Sequence, residues 1–214
     1  MNYSNTIDLV GVVSRTRRVK TKQYTELRFA LRTTTNLGWE TTVLCVRRFA
    51  PEKKIPPVRK GTWLSVSGTV RLNLSVKGIL QAYVELLDDP VPLKEEGDRV
   101  MANRIVARGL MHDVNSGNFN EEQLQANFLL GAADQQTGFE YDFCCVVPGE
   151  AMKDLKMVKG SRESVKVRGS LMMLYHPEYE ESSACCIIAD KISIPYRVCV
   201  INLKTLETTE YEVG

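Results

Sequence analysis

Residues 1–88 hold 15 Lys and Arg against 6 Asp and Glu, a net of +9 in a chain of 214 residues whose overall charge is only +2. The cations come in runs. RTRRVKTK supplies Arg15, Arg17, Arg18, Lys20 and Lys22; Arg28 and Arg32 follow, then Arg47 and Arg48, Lys53 and Lys54, Arg59 and Lys60, and finally Arg71 and Lys77. Aromatic rings stand among them at Tyr24, Trp39 and Phe49. Cations that neutralise phosphates, with flat rings that stack bases, are what a surface needs to hold a single nucleic-acid strand without choosing its sequence, at roughly 1–3 kcal/mol per stacked base. Each feature also has a plainer reading, because a basic surface can be merely solvated and a ring beside a strand can be core. Trp63 alternates out of phase with Leu64 and Val66, so it is expected to face away from the core and to suit an interface.

Catalysis finds little support. His112 and His176 are expected in loops, without a nearby nucleophile or a repeated carboxylate frame, and no H-x-x-x-H, G-x-S-x-G or P-loop spacing occurs. The six cysteines are Cys45, Cys144, Cys145, Cys185, Cys186 and Cys199. Zinc sites usually space their ligands as C-x2-4-C, whereas FCCVV and ACCII read as strands on which adjacent residues point to opposite faces. Reduced core thiols are expected, with a metal site or regulatory disulfide as the alternative; no metal and no cofactor is expected.

The elements that position the basic residues come as a repeat. NTIDLVG (Asn5–Gly11) recurs as NRIVARG (Asn103–Gly109), GWETTVLCV (Gly38–Val46) as GFEYDFCCV (Gly138–Val146), and VRKGTWLSVSG (Val58–Gly68) as MVKGSRESVKVRG (Met157–Gly169), in one order at offsets near 100 residues. In the first copy TIDLVGVVS, TELRFALRTT, GWETTVLCVRRF, TWLSVSGTVRL and ILQAYVELL alternate or are β-branched and read as five strands. RTRRVKTK is expected as the loop between the first two. Short helices are expected between strands three and four: Pro51–Val58, interrupted by Pro56 and Pro57, and in the second copy Pro148–Val158. Five strands with a helical segment there is the connectivity of the OB barrel, while a β-sandwich or an SH3-like barrel would give similar spacing. Gly11, Gly68, Gly109 and Gly169 sit inside strands, where a missing Cβ permits the coiling of a closed barrel.

The chain therefore divides into an all-β pair of tandem OB-type barrels, 1–88 and 103–194, a Pro- and charge-rich linker 89–102, and a hairpin extension 195–214 built from RVCVINL and TTEYEV. The two halves differ in charge. Residues 103–194 carry 9 Lys and Arg against 13 Asp and Glu, and the counterpart of the basic run, HDVNSGNFNEEQLQ (His112–Gln125), has no cation and gains Glu121 and Glu122. Such a loop would repel phosphate, so the second copy is expected to serve assembly or protein contact. Hydrophobic content of 43% and charged content of 25% are those of a globular protein, no apolar run approaches the roughly 20 residues that cross a bilayer, and MNYSNTIDLVGVV lacks a leader pattern; a cytoplasmic location is expected.

These blocks together resemble the bacterial and phage single-stranded DNA-binding protein family. Asn5 and Gly11 in the first strand, Phe29-Ala-Leu-Arg-Thr-Thr in the second, Gly38-Trp39 opening the third, and Lys60-Gly61, Val66 and Gly68 carry the resemblance over most of residues 5–88; Asn103, Gly109, Phe128, Gly138-Phe139, Lys159-Gly160, Val167 and Gly169 hold the corresponding places in a more distant second copy. The resemblance implies binding and protection of single-stranded DNA in replication, recombination or repair, with Trp39 and Phe139 at a stacking position. It also implies a homodimer, so that two chains supply four barrels. The chain departs from the family's pattern where Cys45 and Cys145 stand in place of a stacking Phe, and where Leu37 and Leu74 fall near two other aromatic positions, one of which Tyr175 restores. It ends in EYEVG instead of the family's acidic tip, which puts recruitment of replication and repair enzymes by that route in doubt. A tandem-OB adaptor with DNA contact secondary, in a primosome or in recombination, and an RNA-binding tandem are the rival readings.

Overall fold

A computed structural model describes residues 3–74, 80–117, 125–133, 140–151, 153–154, 164–176, 181–194, 196–201 and 208–213. Lys77, Glu121, Glu122, Phe139, Lys159 and Gly160 lie outside these residues, as do the side chains of Leu74, Tyr175, His176 and Cys199.

The first copy contains β1 (Ser4–Lys20), β2 (Thr25–Thr34), β3 (Glu40–Phe49), β4 (Trp63–Leu74) and β5 (Leu80–Leu86). After β6 (Val91–Pro92) the second contains β7 (Ala102–Gly117), β8 (Gln125–Ala133), β9 (Glu140–Val147), β10 (Ser164–His176) and β11 (Glu181–Ser193). β1 pairs with β2, β2 with β3, β3 runs parallel to β5, β5 pairs with β4, and β4 returns to β1. The circuit β7-β8-β9-β11-β10-β7 repeats it, again with one parallel pair, β9 and β11. Both circuits close in OB order, so the chain is two tandem OB barrels. β12 (Tyr196–Ile201) and β13 (Thr208–Val213) form the expected hairpin as a separate two-stranded sheet.

Alternation along the strands becomes burial in the barrels. Leu27, Phe29 and Leu31 of β2 are at most 1% exposed, and so are their repeat partners Phe128 and Leu130 of β8, while Arg28 and Arg32 point outward. The four strand glycines mark where strands coil tightly: a Cβ on Gly11 would lie 2.3 Å from the Arg32 carbonyl oxygen, and one on Gly109 1.8 Å from that of Gly131. Both approaches exclude any side chain. An asparagine stitches each barrel shut near the same place. The Asn5 side chain accepts from the Val70 amide at 2.6 Å and donates to the Val70 carbonyl at 3.2 Å; Asn103 does the same to Leu171, at 2.9 and 2.7 Å.

The barrels join edge to edge through antiparallel pairing of β1 with β7, Ser4–Val10 against Ala102–Arg108. Thr33 of β2 points its hydroxyl at the Val10 and Ala102 carbonyls, 2.9 and 3.0 Å away, across this seam. Reciprocal contacts flank it: the Met173 amide donates to Thr41 Oγ1 at 3.1 Å, and the Tyr141 hydroxyl to the Val70 carbonyl at 3.5 Å.

Three expectations are corrected. The basic run is not a loop, because Arg15–Lys20 continue β1 and pair with Thr25–Ala30, with only the turn around Thr21–Tyr24 interrupting the hairpin; in its counterpart His112–Gly117 likewise continue β7, and His176 ends β10 instead of lying in a loop. Thr21 makes so short a turn possible, its Oγ1 accepting from the Gln23 and Tyr24 amides. Pro51–Val58 forms no helix but a turn and then irregular chain, since Pro56 and Pro57 lack amide donors and Pro56 disfavours a helical Ile55. In the second copy a 3-10 turn, Gly149–Ala151, occupies that place, with Lys153 and Asp154 helical beyond it. The segment expected as a plain linker contributes β6, whose Val91 and Pro92 pair with Ser65 and Leu64 of β4.

Candidate nucleic-acid interface

Cross-strand partners share a face of a sheet, so the register tells which cations gather. Arg17 stands opposite Arg28, Arg15 opposite Ala30, and Arg32 opposite both Val12 and Thr42; all belong to the outer face of β1-β2-β3. Arg18 and Lys20, opposite Leu27 and Thr25, lie on the other face of the projecting β1-β2 hairpin, where Arg18 donates to the Pro56 carbonyl at 3.4 Å. Lys22 is exposed in the turn, and Lys54 is exposed in the chain after β3. Arg59 and Lys60 are exposed in a turn pinned to β1, the Gly61 amide donating to the Val13 carbonyl at 2.8 Å. The cations thus form an outer-face group on β1-β2-β3 and a second group around the hairpin and the loops beside it.

Several of the expected phosphate ligands already have partners. Glu26 is 2% exposed and lies between Arg28 and Arg48, with Arg48 Nε 3.0 Å from its Oε2. Arg48 also meets Glu85 at 3.5 Å, and Glu85 meets Arg71 at 3.0 Å. The result is a ladder of alternating charge across β2, β3, β5 and β4. Asp89 receives Arg47 at 3.3 Å and Lys53 at 3.0 Å, and these two, Lys53 first, hold its carboxyl below the ordinary carboxylate value.

The aromatics separate as well. Trp39 is 46% exposed at the end of the β2-β3 turn, beside Leu37, which is 42% exposed. Tyr24 is half-buried with the Arg48 guanidinium 5.5 Å from its ring centre. Phe49, expected as a possible stacking ring, is core: it is 3% exposed because its inward register places it under Arg47 and Lys53, at 5.8 and 5.4 Å. Trp63 is half-buried and faces away from the buried Leu64 and Val66, its carbonyl accepting from the Leu93 amide at 3.0 Å. The β2-β3 turn that carries Trp39 is held from the other barrel. Ser170 Oγ donates to Asn36 Oδ1 at 2.7 Å and accepts from the Asn36 amide at 2.9 Å, while Asn36 Nδ2 donates to the Ile188 carbonyl at 3.3 Å.

A groove of about 490 Å³ runs over this outer face, lined by Ser14, Arg15, Ala30, Glu40, Thr41, Thr42 and, from the second barrel, Met173. Its counterpart, about 250 Å³, contains His112 and Asp142 at the repeat positions of Ser14 and Thr42. There His112 lies 3.0 Å from both Asp113 and Asp142, which, Asp142 first, raise its pKa above the ordinary 6.5. The two grooves thus differ in charge, with Arg15 and Glu40 lining the first and His112, Glu140 and Asp142 the second.

The cysteines alternate as strands require. Cys45, Cys145 and Cys185 are buried, while Cys144 and Cys186, register partners in β9 and β11, are half-buried. Burial pushes the Cys185 thiol up to about 12 and Cys186 up to about 11. Among the described residues no group of His, Cys, Asp and Glu is arranged to hold a metal ion.

Sequence reasoning missed Glu26, Tyr83, Glu85, the Asn36–Ser170 tie and Met173. Tyr83 was visible in principle, since in QAYVEL it alternates with the inward Ala82 and Val84.

No family model matches this sequence, and no curated protein does. Among solved structures the chain is similar to the wild-type single-stranded DNA binding protein from Thermus aquaticus, at 13% identity over 96% of this chain and 99% of that one, with a TM-score of 0.69. A deletion mutant of that protein aligns at 13% identity over 91% and 95%, with a TM-score of 0.66. At this identity the likeness concerns the fold.

Proposed function

We propose that this chain binds single-stranded DNA without choosing its sequence, as a binding protein and not an enzyme. The observation that carries the reading is the outer face of β1-β2-β3, where Arg15, Arg17, Arg28 and Arg32 share one surface with a groove about 490 Å³ in volume and an exposed Trp39 beside it. Phosphates track the cations and bases stack on exposed rings. The fold likeness to a single-stranded DNA binding protein agrees with this reading. In our division of the chain, 1–88 makes the DNA contacts and 103–194 supports them and offers protein contacts. Assembly into a homodimer and a cytoplasmic role in replication, recombination or repair belong to the same proposal.

Titrating the protein with oligo-dT and with duplex DNA while following tryptophan fluorescence tests it. Quenching on oligo-dT, with affinity well above that for duplex, is the expected result. Equal affinity for the two removes the proposal.

A further inference from the structure

We infer that Arg48, seated against Tyr24, is a stacking subsite for a nucleobase, and that the buried Glu26 is the residue that positions it. The inference rests on the single-strand reading above and names a contact within it. A guanidinium can serve a nucleic acid by its edge, through N–H donors to phosphate, or by its flat face, on which a base stacks. At Arg48 the edge is occupied: Nε donates to Glu26 Oε2 at 3.0 Å, and Nη1 lies 3.5 Å from Glu85 Oε1. One face lies over the Tyr24 ring at 5.5 Å. The side chain is nonetheless 47% exposed. With Nε and Nη1 engaged and Tyr24 against the guanidinium, the remaining planar face is assigned to a base.

The fixing comes from below. Glu26 has only 3% of its side chain exposed and stands directly opposite Arg48 in the β2-β3 ladder, so a carboxylate that would otherwise be a buried charge is compensated by holding two guanidiniums, those of Arg28 and Arg48. Glu85, bound in turn by Arg71 at 3.0 Å, stops the other end of the guanidinium from rotating. Tyr83 meets the same group through its phenol, which hydrogen-bonds the guanidinium. The Tyr24 ring and the guanidinium it carries supply stacking area on the face of the barrel that holds Arg28 and Glu26.

Arg48→Lys keeps the charge and discards the plane. Binding is measured for oligo-dT and for an abasic deoxyribose-phosphate oligomer of equal length, at several salt concentrations. The expected outcome is an affinity for oligo-dT lowered about tenfold, within what one stacked base contributes, with the abasic affinity and the salt slope unchanged. Tyr24→Phe retains the ring and is expected to bind as the unsubstituted chain does, whereas Tyr24→Ala follows Arg48→Lys. Glu26→Gln, with its melting temperature measured alongside, is expected to reproduce the selective loss on oligo-dT. An equal loss on both oligomers would make Arg48 a phosphate contact and overturn the inference, as would no loss on either. If the unsubstituted chain bound neither oligomer, the single-strand reading itself would fall, and this inference with it.

Discussion

Ile7 and Ile105 face each other across the β1-β7 ladder, and they are the same position of the two copies, 98 residues apart in the chain. Pairing an antiparallel strand with its own repeat at an equivalent residue places a local two-fold axis at that pair. Asn5 then lies opposite Ala107, and Leu9 opposite Asn103, as the symmetry requires. This is the self-complementary contact of a symmetric dimer made within one chain. Covalent linkage turns it into an intramolecular contact that dilution does not weaken.

The asparagine clamps are expected to differ in strength. Asn103 is 7% exposed, so Asn103→Ala strands a buried amide and carbonyl of Leu171 and should cost about 1–3 kcal/mol. Asn5 is less buried and its replacement should cost less. Urea unfolding midpoints of the two variants rank the costs directly.

Ser170 of the second barrel is expected to influence Trp39 of the first, because it holds Asn36 three residues before the ring. In a Trp63→Phe background, where Trp39 is the remaining tryptophan, Ser170→Ala should lower fluorescence anisotropy and weaken oligo-dT binding. An unchanged anisotropy would show that the β2-β3 turn holds itself.

His112 should titrate above 6.5, since Asp142 and Asp113 favour its charged form. A folded-state pKa above the unfolded one means that its small stabilisation is complete below about 6.5 and is lost as pH rises through the folded value. More than a third of the side chain is exposed, so solvent screens the effect. NMR titration of the imidazole checks the direction, and Asp142→Asn should bring the midpoint down.

Thiol labelling of the folded chain should separate the vicinal pairs. Cys144 and Cys186 should react slowly, while Cys45, Cys145 and Cys185 wait for unfolding, as burial dictates. Peptide mapping after a timed pulse reads each site.

Much of the fold was legible because side-chain alternation is a local signal. Phe29 and Phe128 announce themselves in repeated, alternating stretches and are both core. Arg15–Lys20 misled because charge suggests a loop, whereas pairing with β2 satisfies their backbone whatever their side chains carry. At the candidate site the cations and Trp39 were legible as residue types. The partners were not: Glu26 meeting Arg48 depends on register, and Ser170 meeting Asn36 joins residues 134 apart, which no local pattern encodes.

The most direct test of the division between the barrels compares two double charge reversals in the full chain. Arg17→Glu with Arg32→Glu alters the outer face of the first barrel; Lys153→Glu with Lys191→Glu alters exposed cations of the second. Oligo-dT affinity is measured over a range of salt concentrations. The first pair should weaken binding at least tenfold and reduce the salt slope by about 2, one unit for each phosphate that is no longer neutralised, while the second leaves both nearly unchanged. Equal weakening by the two pairs, or none by the first, would contradict the assignment of strand binding to the first barrel.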